Sequence, residues 1–187
     1  MAHSDYFVAF EDHLYFTLNA FAKHLQSMPK KVVGTVQLSE LCAMADHPNG
    51  LYLFFDDQDV LWYVGKSTSR SFIERVPSHF DQRKDACFNT LPTRIMAVCS
   101  IAEYTDAHAL GLSLRLVLIG MKSKQTAIRL ESVLRSYLKP HLNTGKASSH
   151  TGQEALSTYV ANPSIELTAK RTVSSSSSAA HIKRYPS

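Results

Sequence analysis

Apolar residues recur at steps of three and four near the start of the chain, at Phe7, Phe10, Leu14, Leu18, Phe21 and Leu25. That spacing predicts an amphipathic helix from about Asp5 to Gln26, closed by Pro29. A second short helix is expected from Ser39 to Ala45, ahead of the turn His47-Pro48-Asn49. The pattern then changes period. Leu51 to Phe55 and Val60 to Val64 are short apolar runs on either side of the polar stretch Asp56-Asp57-Gln58-Asp59, which predicts a β-hairpin. Alternation sends Tyr52 and Phe54 to one face and Leu51, Leu53 and Phe55 to the other. Gly50 and Gly65 bracket the hairpin, where a missing side chain permits close approach of another group.

Beyond the hairpin, Arg70 to Phe80 has the pattern of a short helix, with Ser69 and Ser71 both available as its cap. Arg75 and His79 lie four apart and share a helical face, provided Pro77 does not end the helix first. Leu112 to Ile119 predicts a third strand. From Ser123 to Leu138, Ala127, Leu130, Val133, Leu134, Tyr137 and Leu138 repeat helically, and Glu131 stands at the border of that stripe. Residues 81–111 leave room for a further helix or strand around Arg94 to Tyr104. After Lys146 the composition shifts toward Ser, Thr, Ala and Gly, and Val173 to Ser187, with its serine run, has the composition of a mobile tail.

Charge sharpens the picture because it is unevenly placed. Residues 1–64 hold 3 basic and 8 acidic side chains while residues 65–187 hold 17 and 8, so the second part carries +9. A polyanion suits such a surface, since phosphate contacts supply most non-specific nucleic-acid affinity. Cys42, Cys87 and Cys99 have no paired spacing, and no Cys/His cluster has metal-ligand spacing, which argues against a disulfide scaffold or zinc knuckle. Asp5, Glu11 and Asp12 interrupt the aromatic N-terminus in a way no signal peptide does, and no apolar run reaches membrane-spanning length. The expectation is a soluble cytoplasmic protein with no membrane partner.

Gly50-Leu51-Tyr52, Tyr63-Val64-Gly65-Lys66, Arg75, His79, Glu131 and Asn143, taken together and in this order, resemble the GIY-YIG nuclease superfamily. The hairpin resembles the N-terminal nuclease domain of the bacterial excision-repair subunit that makes the incisions. The His79-Phe80 ending instead resembles the phage homing-endonuclease branch. The resemblance covers about Asn49 to Gly145. Leu51 and Val64 replace the name-giving isoleucines, the segment from Gly65 to Arg75 is longer than usual, Arg70 competes for the arginine role, and 81–89 lacks the further histidine of homing relatives.

The resemblance implies an α+β fold with a small three-stranded, mainly antiparallel sheet flanked by helices. Residues 1–48 would form an N-terminal helical extension that packs on the core, binds DNA or dimerises; 49–146 would be the nuclease domain, and 147–187 a Ser-rich, largely flexible tail. It also implies a DNA endonuclease that nicks one strand per active site with one Mg²⁺ or Mn²⁺ held by Glu131, the hard carboxylate suiting such an ion. Arg75 would grip the scissile phosphate with its planar, permanently charged guanidinium. Tyr52 would act as general base, its phenol pulled below the usual value of about 10 by Lys66 and the metal. Tyr63 would orient water or phosphate, His79 relay a proton or bind phosphate, and Asn143 anchor the elements around the site. Two further readings are a nucleic-acid-binding module of the same fold without turnover, and a docking role for the N-terminal helix, with a partner protein or a second copy.

Overall fold

The computed structural model describes residues 5–42, 46–83, 91–143 and 150–161. Strand β1, Phe7–Ala9, opens the fold; a 3-10 turn spans Phe10–His13, and helix α1 runs Leu18–Ser27. The single helix expected from Asp5 to Gln26 is therefore a strand, a turn and a shorter helix. Tyr6 and Phe7 are buried on one side of the sheet and Val8 on the other. A continuous apolar run of this kind satisfies either period, and pairing in the sheet decides it. Helix α1 begins where Thr17 Oγ1 accepts a hydrogen bond from the Ala20 amide at 3.1 Å.

Strand β2 is the short segment Lys31–Val32, and α2 covers Leu38–Cys42. Residues 43–45 of the expected second helix lie outside the described residues. The hairpin forms as β3, Asn49–Phe55, and β4, Leu61–Ser67. Asp56 builds its turn: Oδ1 accepts from the amides of Gln58 at 2.9 Å and Val60 at 2.8 Å, and Oδ2 accepts from Trp62 Nε1 at 3.1 Å. The helix expected over 70–80 is cut short. Helix α3 spans Phe72–Arg75, and a 3-10 turn with Pro77 at its start carries Pro77–Phe80. The Glu74 carboxylate accepts from Ser71 N and Ser71 Oγ, each at 2.8 Å, which selects Ser71 over Ser69 as the cap.

Two helices fill the stretch that follows, α4 at Leu91–Cys99 and α5 at Tyr104–Ser113. Strand β5 is Arg115–Met121, so Leu112 and Ser113 end a helix instead of starting the strand. Helix α6, Lys124–Leu138, is capped by Ser123 Oγ, which accepts from the Thr126 amide at 3.3 Å, and stops where Lys139 turns left-handed at φ 49°. Helix α7 is Leu156–Val160.

The fold is α+β, but its sheet is not three-stranded. Five strands form a mixed sheet in the order β1-β5-β3-β4, with β2 also on β5. Strand β1 runs parallel to β5; β2 and β3 run antiparallel to it, and β4 antiparallel to β3. The added strands have a physical cause. Strand β3 covers one side of β5, and the other side would be a bare row of amides and carbonyls unless the N-terminal segment paired with it. Helices α1, α6 and α7 bury Leu51, Leu53 and Phe55 on one face, while α2 to α5 bury Tyr52 and Phe54 on the other, the division that alternation predicts. Among the described residues no helix is long and apolar enough to cross a membrane.

Residues 150–161 are docked, in contrast to the tail expected from 147 onward. The first turn of α1 leaves amides without helical acceptors. Glu154 O and Gly152 O accept from Leu18 N and Asn19 N at 3.0 and 2.9 Å, and Phe16 O and Leu14 O accept from Leu156 N and Ser157 N at 2.8 and 3.1 Å. Leu156 is fully buried in the α1/α6 layer. The remainder of the expected tail lies outside the described residues. Leu156→Ala should lower the free energy of unfolding by about 2–5 kcal/mol through transfer and cavity terms, read as a shifted urea midpoint at unchanged slope.

Candidate active site

Strand β4 is the last strand of the sheet, so its outer edge needs partners. The segment after α6 supplies them. Val64 N donates to Asn143 Oδ1 at 2.7 Å, Asn143 Nδ2 donates back to Val64 O at 3.0 Å, and Leu142 N donates to Trp62 O at 2.8 Å. The Asn143 amide thus takes the place of a strand backbone. It also ties the C-terminal end of α6, with Glu131 and Arg135 along it, to the edge of the hairpin.

On the α2–α5 face, Tyr52 and Tyr63 meet His79 and Arg75. Tyr52 pairs with Gly65 in the β3–β4 register, and a Cβ on Gly65 would lie 2.3 Å from Tyr52 Cζ. The tyrosine ring therefore occupies the space that the glycine vacates. The Tyr52 hydroxyl lies 2.6 Å from His79 Nε2, and the Arg75 charge acts on it from nearby. The His79 ring sits 5.3 Å, centroid to centroid, from both tyrosine rings. Helix α5 holds this turn from behind: Tyr104 Oη donates to Asp81 O at 2.6 Å, and His108 Nε2 lies 3.0 Å from Phe80 O.

Lys66 and Glu131 lie on the other face. Alternation along β4 turns Lys66 toward α6, where its Nζ bonds Glu131 Oε2 at 2.7 Å; Arg135, one turn along, bonds Oε1 at 3.2 Å. Lys66, Arg70 and Arg75, with the intervening hydroxyls of Ser67, Thr68 and Ser69, line a cleft of about 240 Å³. Both candidate arginines thus reach the cleft, and Arg75 is the one whose charge also acts on Tyr52.

Two electrostatic features depart from expectation. Tyr52 is fully buried, and desolvation, with the nearby Tyr63 and in spite of Arg75, raises its phenol well above the ordinary value. Lys66 does not reverse this, because its ammonium is spent on Glu131. Burial, together with the charges of Arg75 and Arg94, pushes His79 down to about 3. A neutral phenol and a neutral imidazole therefore share the 2.6 Å contact; in the tautomer with its proton on Nδ1, His79 Nε2 accepts from Tyr52.

Arg94 was not among the residues that the motif spacing singled out. Its guanidinium carbon stands 5.4 Å from the Tyr63 ring centroid, and its Nη1 donates to Leu142 O at 3.1 Å. Nothing in the sequence around α4 marks it. Arg135 was also missed, although its step of four from Glu131 is the signal for an intrahelical pair.

Glu131 has one carboxylate with about four acceptor positions, of which Lys66 and Arg135 take two. Among the described residues no group of three or more His, Cys, Asp and Glu side chains converges. This donor set fits only a water-rich ion with a single protein carboxylate, a mode that Mg²⁺ accepts. Cys42 and Cys99 are free and exposed; Cys87 lies outside the described residues. No family model matches the chain, and no curated protein or solved structure matches it.

The depressed His79 has a stability signature. The unfolded chain binds this proton near pH 6.5 and the folded chain only near 3, so between those values the unfolded state holds more protons. Stability should be flat above about pH 6.5 and fall as pH drops toward 3. In urea titrations from pH 7 to 4, His79→Gln should flatten that fall; an unchanged slope would show that His79 is not the group responsible.

Proposed function

We propose that the chain is a metal-dependent endonuclease that hydrolyses phosphodiester bonds of DNA at the edge of β4, as its resemblance to the GIY-YIG superfamily implies. The observation that carries this reading is the cleft lined by Lys66, Arg70 and Arg75, in which Lys66 is bonded to Glu131 from the α6 face and Arg75 stands beside the Tyr52–His79 pair of the other face. A phosphodiester needs charge neutralised on its oxygens, an activated water and a route for the proton.

Arg75 binds the scissile phosphate from the cleft, its fork matching two phosphate oxygens. Lys66 adds positive charge beside it. Glu131 holds the divalent ion, Mg²⁺ or Mn²⁺, which when bound supplies Lewis-acid neutralisation and lowers the pKa of water. Arg135 keeps the carboxylate aimed toward β4. Burial supports roles for the tyrosines different from those the motif implied. Tyr52 has no exposed surface, so it positions Arg75 and His79, whereas Tyr63 retains 6% exposure and lies under Arg94, whose guanidinium carbon is 5.4 Å from its ring centroid. On exposure Tyr63 is the better general base, with the neutral His79 ring packed 5.3 Å from it, centroid to centroid.

The binding-module reading draws on a specific observation too: both Glu131 oxygens already hold cations. Salt-dependent DNA binding with no turnover in any divalent metal would favour it. Nicking of supercoiled plasmid with Mg²⁺ or Mn²⁺ separates the two. Arg75→Ala and Glu131→Gln should each slow nicking about a hundredfold or more with circular dichroism unchanged; unchanged nicking by both would refute the assignment. Tyr63→Phe should cost more than Tyr52→Phe, and the reverse order would return the base to Tyr52.

A further inference from the structure

The cationic cleft adjoins a second one. Ser69 and Arg70 line both, and beyond them lies a space of about 470 Å³. Its wall differs in chemistry from the first. Leu41, Pro48, Phe72 and Ile73 form an apolar surface, and polar groups, Ser71 and Glu74 among them, stand alongside. Glu74 is held in place by its two hydrogen bonds to Ser71. Such a combination suits a flat group with apolar faces and a hydrogen-bonding edge.

We propose that this second cleft takes an unpaired nucleobase from the nucleotide next to the phosphate in the first. The inference rests on the nuclease reading for what fills the cationic cleft, and it adds the substrate class. Arg70, on the wall the two clefts share, lies along the path of the connecting backbone. The carboxylate of Glu74 can accept from an exocyclic amino group, which favours adenine, cytosine and guanine over thymine. A base inside an intact duplex cannot enter without losing its stacking and pairing, a cost least at flaps, junctions and single strands. The segment from Gly65 to Arg75, longer than the motif requires, is what builds the boundary between the clefts.

Cys42 supplies the probe, because it is exposed and lines the second cleft, whereas the exposed Cys99 lies on α4 and does not line it. The full chain is alkylated with iodoacetamide in EDTA, alone or saturated with a short duplex or with the same duplex bearing an unpaired adenine flap. Saturation is established by fluorescence anisotropy, and each cysteine is followed by mass spectrometry. The flap should slow Cys42 alkylation about tenfold relative to Cys99, as a stacked base warrants, while the duplex should not. Ile73→Trp, which fills the cleft, and Arg70→Ala should both bring the flap-to-duplex affinity ratio toward one.

Binding of both nucleic acids with Cys42 reacting at its free rate would overturn the base pocket and leave the nuclease proposal standing. Equal protection by flap and duplex would overturn the preference for an unpaired base. If the chain bound neither, the nucleic-acid reading would fall and the pocket's occupant with it.

Discussion

The hydrogen bonds between Asn143 and Val64 govern the geometry of the whole site. Strand β4 has a neighbour on one side only, and an unpaired edge invites either water or another chain. The side-chain amide of Asn143 donates and accepts at Val64 as a paired strand would. Because Asn143 follows the left-handed turn at Lys139, closing the edge also sets where α6 ends and how it lies against the hairpin. Glu131 is brought to Lys66 by that placement. Leu142, in the same segment, receives Arg94 through its carbonyl. One edge-closing contact thus links α4, β4 and α6.

A second constraint is volumetric. Tyr52 fills the space over Gly65, and that packing removes the phenol from water. In a low-dielectric setting the neutral forms of both Tyr52 and His79 are favoured, so the pair is a stiff, uncharged support. Charge at the site comes instead from groups nearer solvent: Lys66, Arg70 and Arg75. This division between a buried neutral pair and a cationic rim is what favours the cleft for the proposed chemistry, and Tyr63 over Tyr52 as its proposed base.

Helices α4 and α5 show how a segment beyond the motif residues can serve the site. Tyr104 and His108 of α5 hold the carbonyls of Asp81 and Phe80, immediately after His79. Pro77 ends α3 early, and the 3-10 turn that follows is held between α5 on one side and the rings of Tyr52, Phe54 and Tyr63 on the other. The position of His79 therefore owes as much to these tertiary contacts as to its spacing from Arg75.

Local patterns determined a good deal of this protein. The hairpin, its two faces, the turn at Asp56 to Asp59 and the long helix carrying Glu131 were legible because period, turn chemistry and capping residues agree over short distances. The N-terminal segment was not, since Tyr6 to Ala9 suits strand or helix alike and only the open side of β5 selects the strand. The docking of 150–161 was equally hidden, because the acceptors it offers to the first turn of α1 are backbone carbonyls that carry no sequence signature. Within the candidate site, spacing linked Arg75 to His79, the family resemblance added Glu131, and Arg135 was readable from its step of four. Arg94 and the protonation of the Tyr52–His79 pair were decided by tertiary structure alone. Burial and through-space charge depend on which distant segments come together, and a pKa is set by that environment, not by neighbours in the chain.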